Sequence, residues 1–306
     1  MKSLKTRFAK EAKAFDLIAL QRAKNRHIPD MRAVFVNEYF YNNIWRNSVF
    51  LNQQYGPICQ WIINSLKSAK KQSVIELGCG TGWLSLELAR AGFSTTGLDI
   101  SGESIKRAQE YFQSLKDSKK ISLRYVCENI LYYPDYQGES IVSFGFLHHL
   151  PPPILKKVLR HFRNQMAKGN FLLAAEPRYD HVSFEMALLI YALRLVLPNH
   201  FHYHKKSGDA LITNVQKIFA ELSESNKTQS EMNNESSSDL IIKTIREYFQ
   251  HIELGYTTPF FDKIIGSIRV AKQDAIILSG ILKQLDNIIV KYNPNFARTI
   301  TIKAQA

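Results

Sequence analysis

The chain reads as an α/β protein: a seven-stranded sheet, mostly parallel with an antiparallel last strand, covered by helices on both faces. Three observations predict this. Five short apolar runs, SVIEL (73–77), FSTTGLD (93–99), ISLRYVC (121–127), SIVSFGF (140–146) and NFLLAAE (170–176), alternate with amphipathic stretches. Strands spaced by helices of that length form right-handed βαβ units, whose parallel sheet is buried on both sides. Two later segments, 248–257 and an alternating 297–303, flank a helix over 274–292 with an Ile/Leu stripe. They complete the seven strands with an antiparallel edge. Finally, the first run passes straight into three glycines at alternate positions that open a helix.

The remaining elements follow in order. Residues 5–28 have a helical pattern that Pro29 ends. An aromatic segment, EYFYNNIWR (38–46), leads through Pro57 into an apolar helix over 58–66. Helices are expected to start near Gly82, Ser101 and Pro152. Residues 182–197 form a strongly apolar helix stopped by Pro198, at 1.5 Å per residue about 24 Å long. That is too short and too charged to span a bilayer comfortably. The stretch 222–239 holds six serines and almost nothing apolar, so a flexible surface loop is expected.

Composition narrows the classes. With 306 residues, 45% hydrophobic and 22% charged, the chain is long enough for one large domain or two modest ones and is not mainly disordered. No apolar run reaches the roughly 18 residues of a membrane span, and no apolar region follows the basic first ten residues as a secretory signal requires. Cys59, Cys79 and Cys127 form no CxxC pair, which argues for a reducing, cytoplasmic setting and against a zinc or disulfide scaffold. The net charge is +13, and residues 1–73 carry 13 Lys and Arg against 4 Asp and Glu. Such an excess suits nucleic acid, an anionic membrane surface or an acidic substrate, or is simply a solvated helix face.

The chemistry is carried by Val74–Gly82, a strand running into Gly78, Gly80 and Gly82. Glycines there let backbone approach a nucleotide-like ligand that any Cβ would obstruct, with helix N-terminal amides facing it. Asp99 ends the second strand, where a carboxylate can take both hydroxyls of a ribose. The spacing GxGxG, with Glu76 two residues ahead, differs from the GxGxxG of NAD sites.

Four features in order, ELGCGTG (76–82), LDIS (98–101), NILYYP (129–134) and VSFGFLHHL (142–150), make the chain resemble the class I S-adenosylmethionine-dependent methyltransferases, near the ubiquinone-pathway and other small-molecule enzymes. Their fold is Rossmann-like. The likeness covers residues 70–180 well and the late elements more loosely. Asn129 stands where the family usually has Asp, and its side-chain oxygen can still accept from an adenine amino group. Ser140 replaces an Asp at the start of the fourth strand, a structural change.

The resemblance implies S-adenosylmethionine as cofactor. Gly78, Gly80 and Gly82 admit it, and Glu76 holds its amino end, directly or through water. Asp99 binds the ribose with Ile100 beside the adenine, and Asn129 and Ile130 bound the other side. Phe144 and Gly145 lie beneath the sulfonium. The substrate is expected among Tyr41, Trp45, Glu176 and Tyr191, the aromatic Tyr39, Tyr41 and Trp45 serving as a lid. His148 and His149, in the loop after the fourth strand, are the candidate general bases, with His149 preferred. HFHYH brings His200, His202 and His204 together, but no carboxylate or cysteine accompanies them, and no metal is expected.

Residues 1–70 are thus read as a helical basic and aromatic cover. Residues 71–306 are the methyltransferase domain, with a substrate cover over about 178–240. The expected activity is methylation of a small, lipophilic molecule, at oxygen by preference, with peripheral membrane contact allowed. The N/D-P-P-aromatic run of amino-methylating nucleic-acid enzymes is absent, and no cysteine is placed for cytosine-5 chemistry. The alternatives are methylation of RNA or protein docked on the basic segment, and a non-catalytic cofactor-binding protein.

Overall fold

The computed structural model describes residues 2–34, 43–134, 136, 138–197, 214–224 and 235–306. Tyr39, Tyr41, His200, His202 and His204 lie outside the described residues. Seven strands, β1 (Ser73–Leu77), β2 (Ser94–Asp99), β3 (Leu123–Cys127), β4 (Ser140–Phe144), β5 (Phe171–Pro177), β6 (Gln250–Thr257) and β7 (Thr299–Gln305), form one sheet. Its order is β3-β2-β1-β4-β5-β7-β6. All neighbours from β3 to β5 are parallel, and β7 runs antiparallel to both β5 and β6. The antiparallel strand is therefore inserted next to the edge, and β6 is the edge itself. A register shift between Gln250 and Glu253, with His251 at φ 47°, interrupts β6, which makes it a poor template for further pairing.

β1 pairs with β2 on one side and β4 on the other. The strand order reverses there, and in open α/β sheets the crevice beyond the carboxyl ends at such a reversal holds ligands. β1, β4 and β5 are nearly continuous buried runs, as double-sided cover demands. On one face, α5 (Pro152–Gln165) and α8 (Ser238–Tyr248) lay Leu155, Val158, Phe162, Ile241 and Ile245 over Ile75, Ile141, Leu172 and Ile302. On the other, α2 (Ser48–Ser68) and α3 (Trp83–Arg90) lay Ile62, Leu66, Leu84 and Leu88 over Val74, Val142 and Leu173. Removing one such side chain, as in Leu155→Ala, costs about 2–5 kcal/mol.

A third apolar cluster stands beyond the carboxyl ends of the strands. It joins the start of α2 to α6 (Phe184–Val196), α7 (Val215–Glu224), α9 (Phe261–Ile265) and α10 (Lys272–Tyr292) through Phe50, Met186, Ile190, Ile218, Phe261, Ile265 and Leu282. Across the crevice, α1 (Lys2–Lys24) packs against α4 (Gly102–Ser114). Asp16 accepts from Ser101 Oγ at 2.7 Å and from the Glu103 amide at 3.0 Å. An acidic group at a helix N-terminus is favoured there by the unpaired amides.

The serine-rich stretch 222–239 is not a loop throughout. Leu222, Ser236 and Ser238 are buried. The Ser236 amide donates to His148 O and its hydroxyl to Leu150 O, while Ser238 Oγ donates to Asp180. Ser237 caps α8 by accepting from the Leu240 amide. Polar composition concealed these ends because their partners are backbone and carboxylate groups far away in sequence.

Candidate active site

The three glycines of the turn after β1 all have positive φ, at 67° (Gly78), 53° (Gly80) and 88° (Gly82), where a β-carbon is strained. Their surroundings differ. A Cβ on Gly78 would fall 2.3 Å from the Phe146 ring, and one on Gly82 would fall 2.5 Å from the Tyr125 ring. A Cβ on Gly80 would meet nothing within 4 Å. Close packing against aromatic rings thus explains Gly78 and Gly82, and Gly80 alone opens onto space.

That space is a cavity of about 180 Å³. Gly78, Gly80, Asp99, Ile100, Asn129 and Ile130 line it. Phe8, Phe15, Ile18 and Ala19 of α1 form its roof. Asp99 Oδ2 accepts from the Gly80 amide and Oδ1 from the Ser101 amide, both at 2.8 Å. Burial pushes the Asp99 carboxyl up, against the pull of those two amides. Asn129 Oδ1 accepts from the Leu131 amide at 3.0 Å, which makes the side-chain NH₂ its uncommitted donor.

Glu76 lines neither this cavity nor the next. It is buried behind the turn and takes a short hydrogen bond from Ser85 Oγ. Burial pushes its carboxyl up to about 8, with Asp99 adding to the rise. The expected contact with a ligand's amino end is therefore not prepared, and Glu76 instead braces β1 against α3.

The loop after β4 is organised by one carboxylate. Glu176, fully buried near the end of β5, accepts from Ser143 Oγ (3.0 Å) and from the amides of Phe146 (3.1 Å), Leu147 (2.9 Å) and His148 (3.4 Å). It also lies 2.8 Å from His148 Nδ1. With this many donors converging on Glu176, the imidazole is the donor at Nδ1, and Nε2 is left for the cavity that His148 lines. Glu176 was expected to touch substrate; it lines the same cavity as His148, and its oxygens also fix the loop and the ring.

The His149 ring packs on that of His148, with centroids 4.1 Å apart, but lines a different cavity. It lines the smaller cavity, sits edge-on to Phe15 at 5.4 Å and lies 3.6 Å from Glu11. Burial, and then repulsion from His148, pushes it down to about 3. A group held that low is a weak proton acceptor, which weighs against the preference for His149.

The larger cavity, about 800 Å³, adjoins the first through Gly78, Gly80, Thr81 and Gly145. Its aromatic wall is Phe144, Tyr55, Trp83 and Trp45. Tyr55 and Trp83 are stacked at 5.5 Å, and Phe144 meets both edge-on at 4.9 and 5.1 Å. Trp45 leans on His27 at 5.0 Å. The cavity is also lined by charged residues, Asp262, Lys263 and Arg298, together with Thr258 and Gln54. Arg298 pairs with Asp262 at 2.6 Å. A lipophilic substrate was expected; this cavity also presents charged side chains. Tyr191 lines neither cavity and packs on the third apolar cluster, and Tyr41 lies outside the described residues. Tyr55 and Trp83 escaped notice because their helices read as plain core.

Sheet order, glycine turn and the carboxylate ending β2 together define the class: the fold of the class I S-adenosylmethionine-dependent methyltransferases. The cavity residues fit that cofactor, since Gly80 leaves room at the turn and Asp99 lines the space beside it. The profile of a methyltransferase-domain family matches residues 50–218, more than half of the chain, and the chain belongs to that family. Curated relatives include the ubiquinone biosynthesis O-methyltransferase of Bordetella avium, 28% identical over 149 residues, covering 48% of this chain and 60% of the relative. That of Xanthomonas campestris pv. campestris is 27% identical over 135 residues, covering 43% and 54%. This chain thus spans only part of the length of the relatives it matches. Among solved structures, magnesium protoporphyrin IX methyltransferase from Synechocystis PCC 6803 aligns over 85% of this chain and 84% of its own, at 13% identity and a TM-score of 0.45. No helix among the described residues is long and apolar enough to cross a membrane.

Proposed function

We propose that the chain transfers a methyl group from S-adenosylmethionine to an oxygen of a small molecule held in the larger cavity. The pairing of His148 with Glu176, beside the Gly145 that lines both cavities, carries this reading. Bound S-adenosylmethionine supplies a methyl carbon on a positively charged sulfur, and the electron pair of the broken C–S bond stays on that sulfur.

The chain's own residues supply placement and a proton acceptor. Phe144, Tyr55 and Trp83 present ring surface that orients a planar substrate and keeps water away. Glu176 holds the His148 ring through Nδ1, so that Nε2 takes the proton of the substrate hydroxyl as the C–O bond forms. A base placed this way contributes about 10²–10⁴-fold.

A polymer substrate docked on the basic N-terminal segment has less support. Arg7 pairs with Glu235, Arg32 with Glu87, and the buried Arg46 donates to Gly266 O. The test is mass spectrometry of products formed from isotopically labelled cofactor and a panel of hydroxylated and aminated ring compounds. Label on oxygen supports the reading. Label on nitrogen alone sinks the choice of oxygen.

A further inference from the structure

The larger cavity holds one cation, Lys263, for which the described residues form no ion pair. Its charged and titratable groups come from several elements: Arg22 and His27 at the α1 end, Glu221 on α7, Asp262 and Lys263 on α9, Arg298 ahead of β7, and His148 with Glu176. Most are accounted for. Glu176 is committed to the β4 loop and His148. Asp262 and Arg298 neutralise one another at 2.6 Å. Burial, with Arg22 adding to it, pushes His27 down to about 3 and so keeps it neutral.

Lys263 is left over. Among the described residues no carboxylate oxygen lies within ion-pair distance of its Nζ; Glu221 is exposed and acts only from further away. Arg194 also approaches, donating to the Lys263 carbonyl at 2.7 Å, and so adds positive charge nearby. Burial, and then Arg298, pushes the Lys263 ammonium down to about 8, while Asp262 and Glu221 pull it up. A desolvated lysine with no carboxylate at ion-pair distance is an unfavourable arrangement until an anion arrives.

We propose that the methyl acceptor carries an anionic group, a carboxylate, and that Lys263 forms the subsite that receives it. The inference rests on the reading of this cavity as the substrate side. The aromatic wall then holds the ring of the same molecule, and the hydroxyl is presented towards His148. The substrate class is a hydroxylated ring acid, amphiphilic where the sequence suggested a lipophile. Charge at one end also fixes which end of the molecule faces the methyl donor.

The test uses two probes of nearly equal shape, 4-hydroxybenzoate and its neutral amide, 4-hydroxybenzamide, in the presence of the demethylated cofactor. Trp45 and Trp83 line the cavity, so their fluorescence reports occupancy. Wild type is expected to prefer the acid about tenfold or more, the range of a charge-assisted hydrogen bond. The preference is expected to vanish in Lys263→Met and to survive in Lys263→Arg, with amide affinity unchanged in both. In wild type it should fall as pH rises through about 8, where Lys263 loses its proton. Calorimetry with the demethylated cofactor alone serves as the folding control. Loss of cofactor binding in wild type would count against the methyltransferase reading itself. Intact cofactor binding with equal affinity for the two probes, with neither probe bound at millimolar concentration, or with the preference retained in Lys263→Met, overturns the anionic subsite and leaves that reading standing.

Discussion

The two cavities are built on opposite plans. The smaller centres on one tight turn and the residue ending the next strand, closed by α1 and by the segments after β3 and β4. The larger is assembled from α2, the ends of β4, β5 and β6, α9 and the start of β7, segments separated by as much as the whole domain. A turn that must pass close to a ligand constrains backbone, and backbone constraint shows as glycine. A chamber that must recognise a particular molecule constrains side chains, and many combinations of side chains can do so. Cofactor and substrate recognition can therefore change independently on one scaffold.

Substitutions can break or sharpen that contrast, and the largest effect belongs to the turn. Gly80→Val is expected to abolish binding of the demethylated cofactor in calorimetry with helical content retained, because the new side chain enters open space rather than the core. Gly82→Val is the control with the opposite signature: its Cβ meets the Tyr125 ring, so thermal stability falls first. Should both variants behave alike, the division of labour among the glycines is wrong. Next comes His148→Ala, expected to lower kcat by about 10²–10⁴ with cofactor affinity near wild type. His149→Ala is expected to leave kcat far less affected, and a reversed order would restore the residue favoured by sequence.

Asp99→Ala is expected to weaken cofactor binding by about 1.5–3 kcal/mol for each charge-assisted hydrogen bond lost. Unchanged affinity in a folded variant would remove Asp99 from the site. The smallest effect concerns the ligand-free protein and pH. Glu76 has a folded pKa raised to about 8, so its stabilising contribution is complete below its ordinary value near 4.5 and is lost as pH rises through about 8. Tm should fall across that window, by about 2–4 °C for each kcal/mol lost, and Glu76→Gln should flatten the slope. A slope unchanged by the substitution would show that other groups carry it.

Legibility in the sequence follows the same division. The strands β1 to β5 stand within two or three residues of their predicted limits, because double-sided burial writes apolar runs that punctuation delimits. Asp99 and the glycines were readable for the reason given above. Lys263, Arg298 and Thr258 were not, since each belongs to an unremarkable stretch and gains its meaning only where β7 inserts beside β5. His148 and His149 show the limit at a single position. Adjacent in sequence, they face different cavities, and what decides between them is Glu176, which lies 28 residues away from His148. The helix α8 carried one usable signal, Ser237 ahead of Leu240 and Ile241, which the surrounding serines concealed.

Glu176 and His148 also cannot vary one at a time. Removing the carboxylate strands three amides, a hydroxyl and a ring nitrogen, while removing the ring leaves a buried carboxylate with one donor fewer. Groups that share a partner in this way are energetically coupled, and the cost of losing both is less than the sum of the separate costs. Each residue thus acts as a ratchet on the other. A lineage that drifts at one position first meets the full penalty of an unpartnered buried group, so the pair tends to be inherited, or abandoned, as a unit.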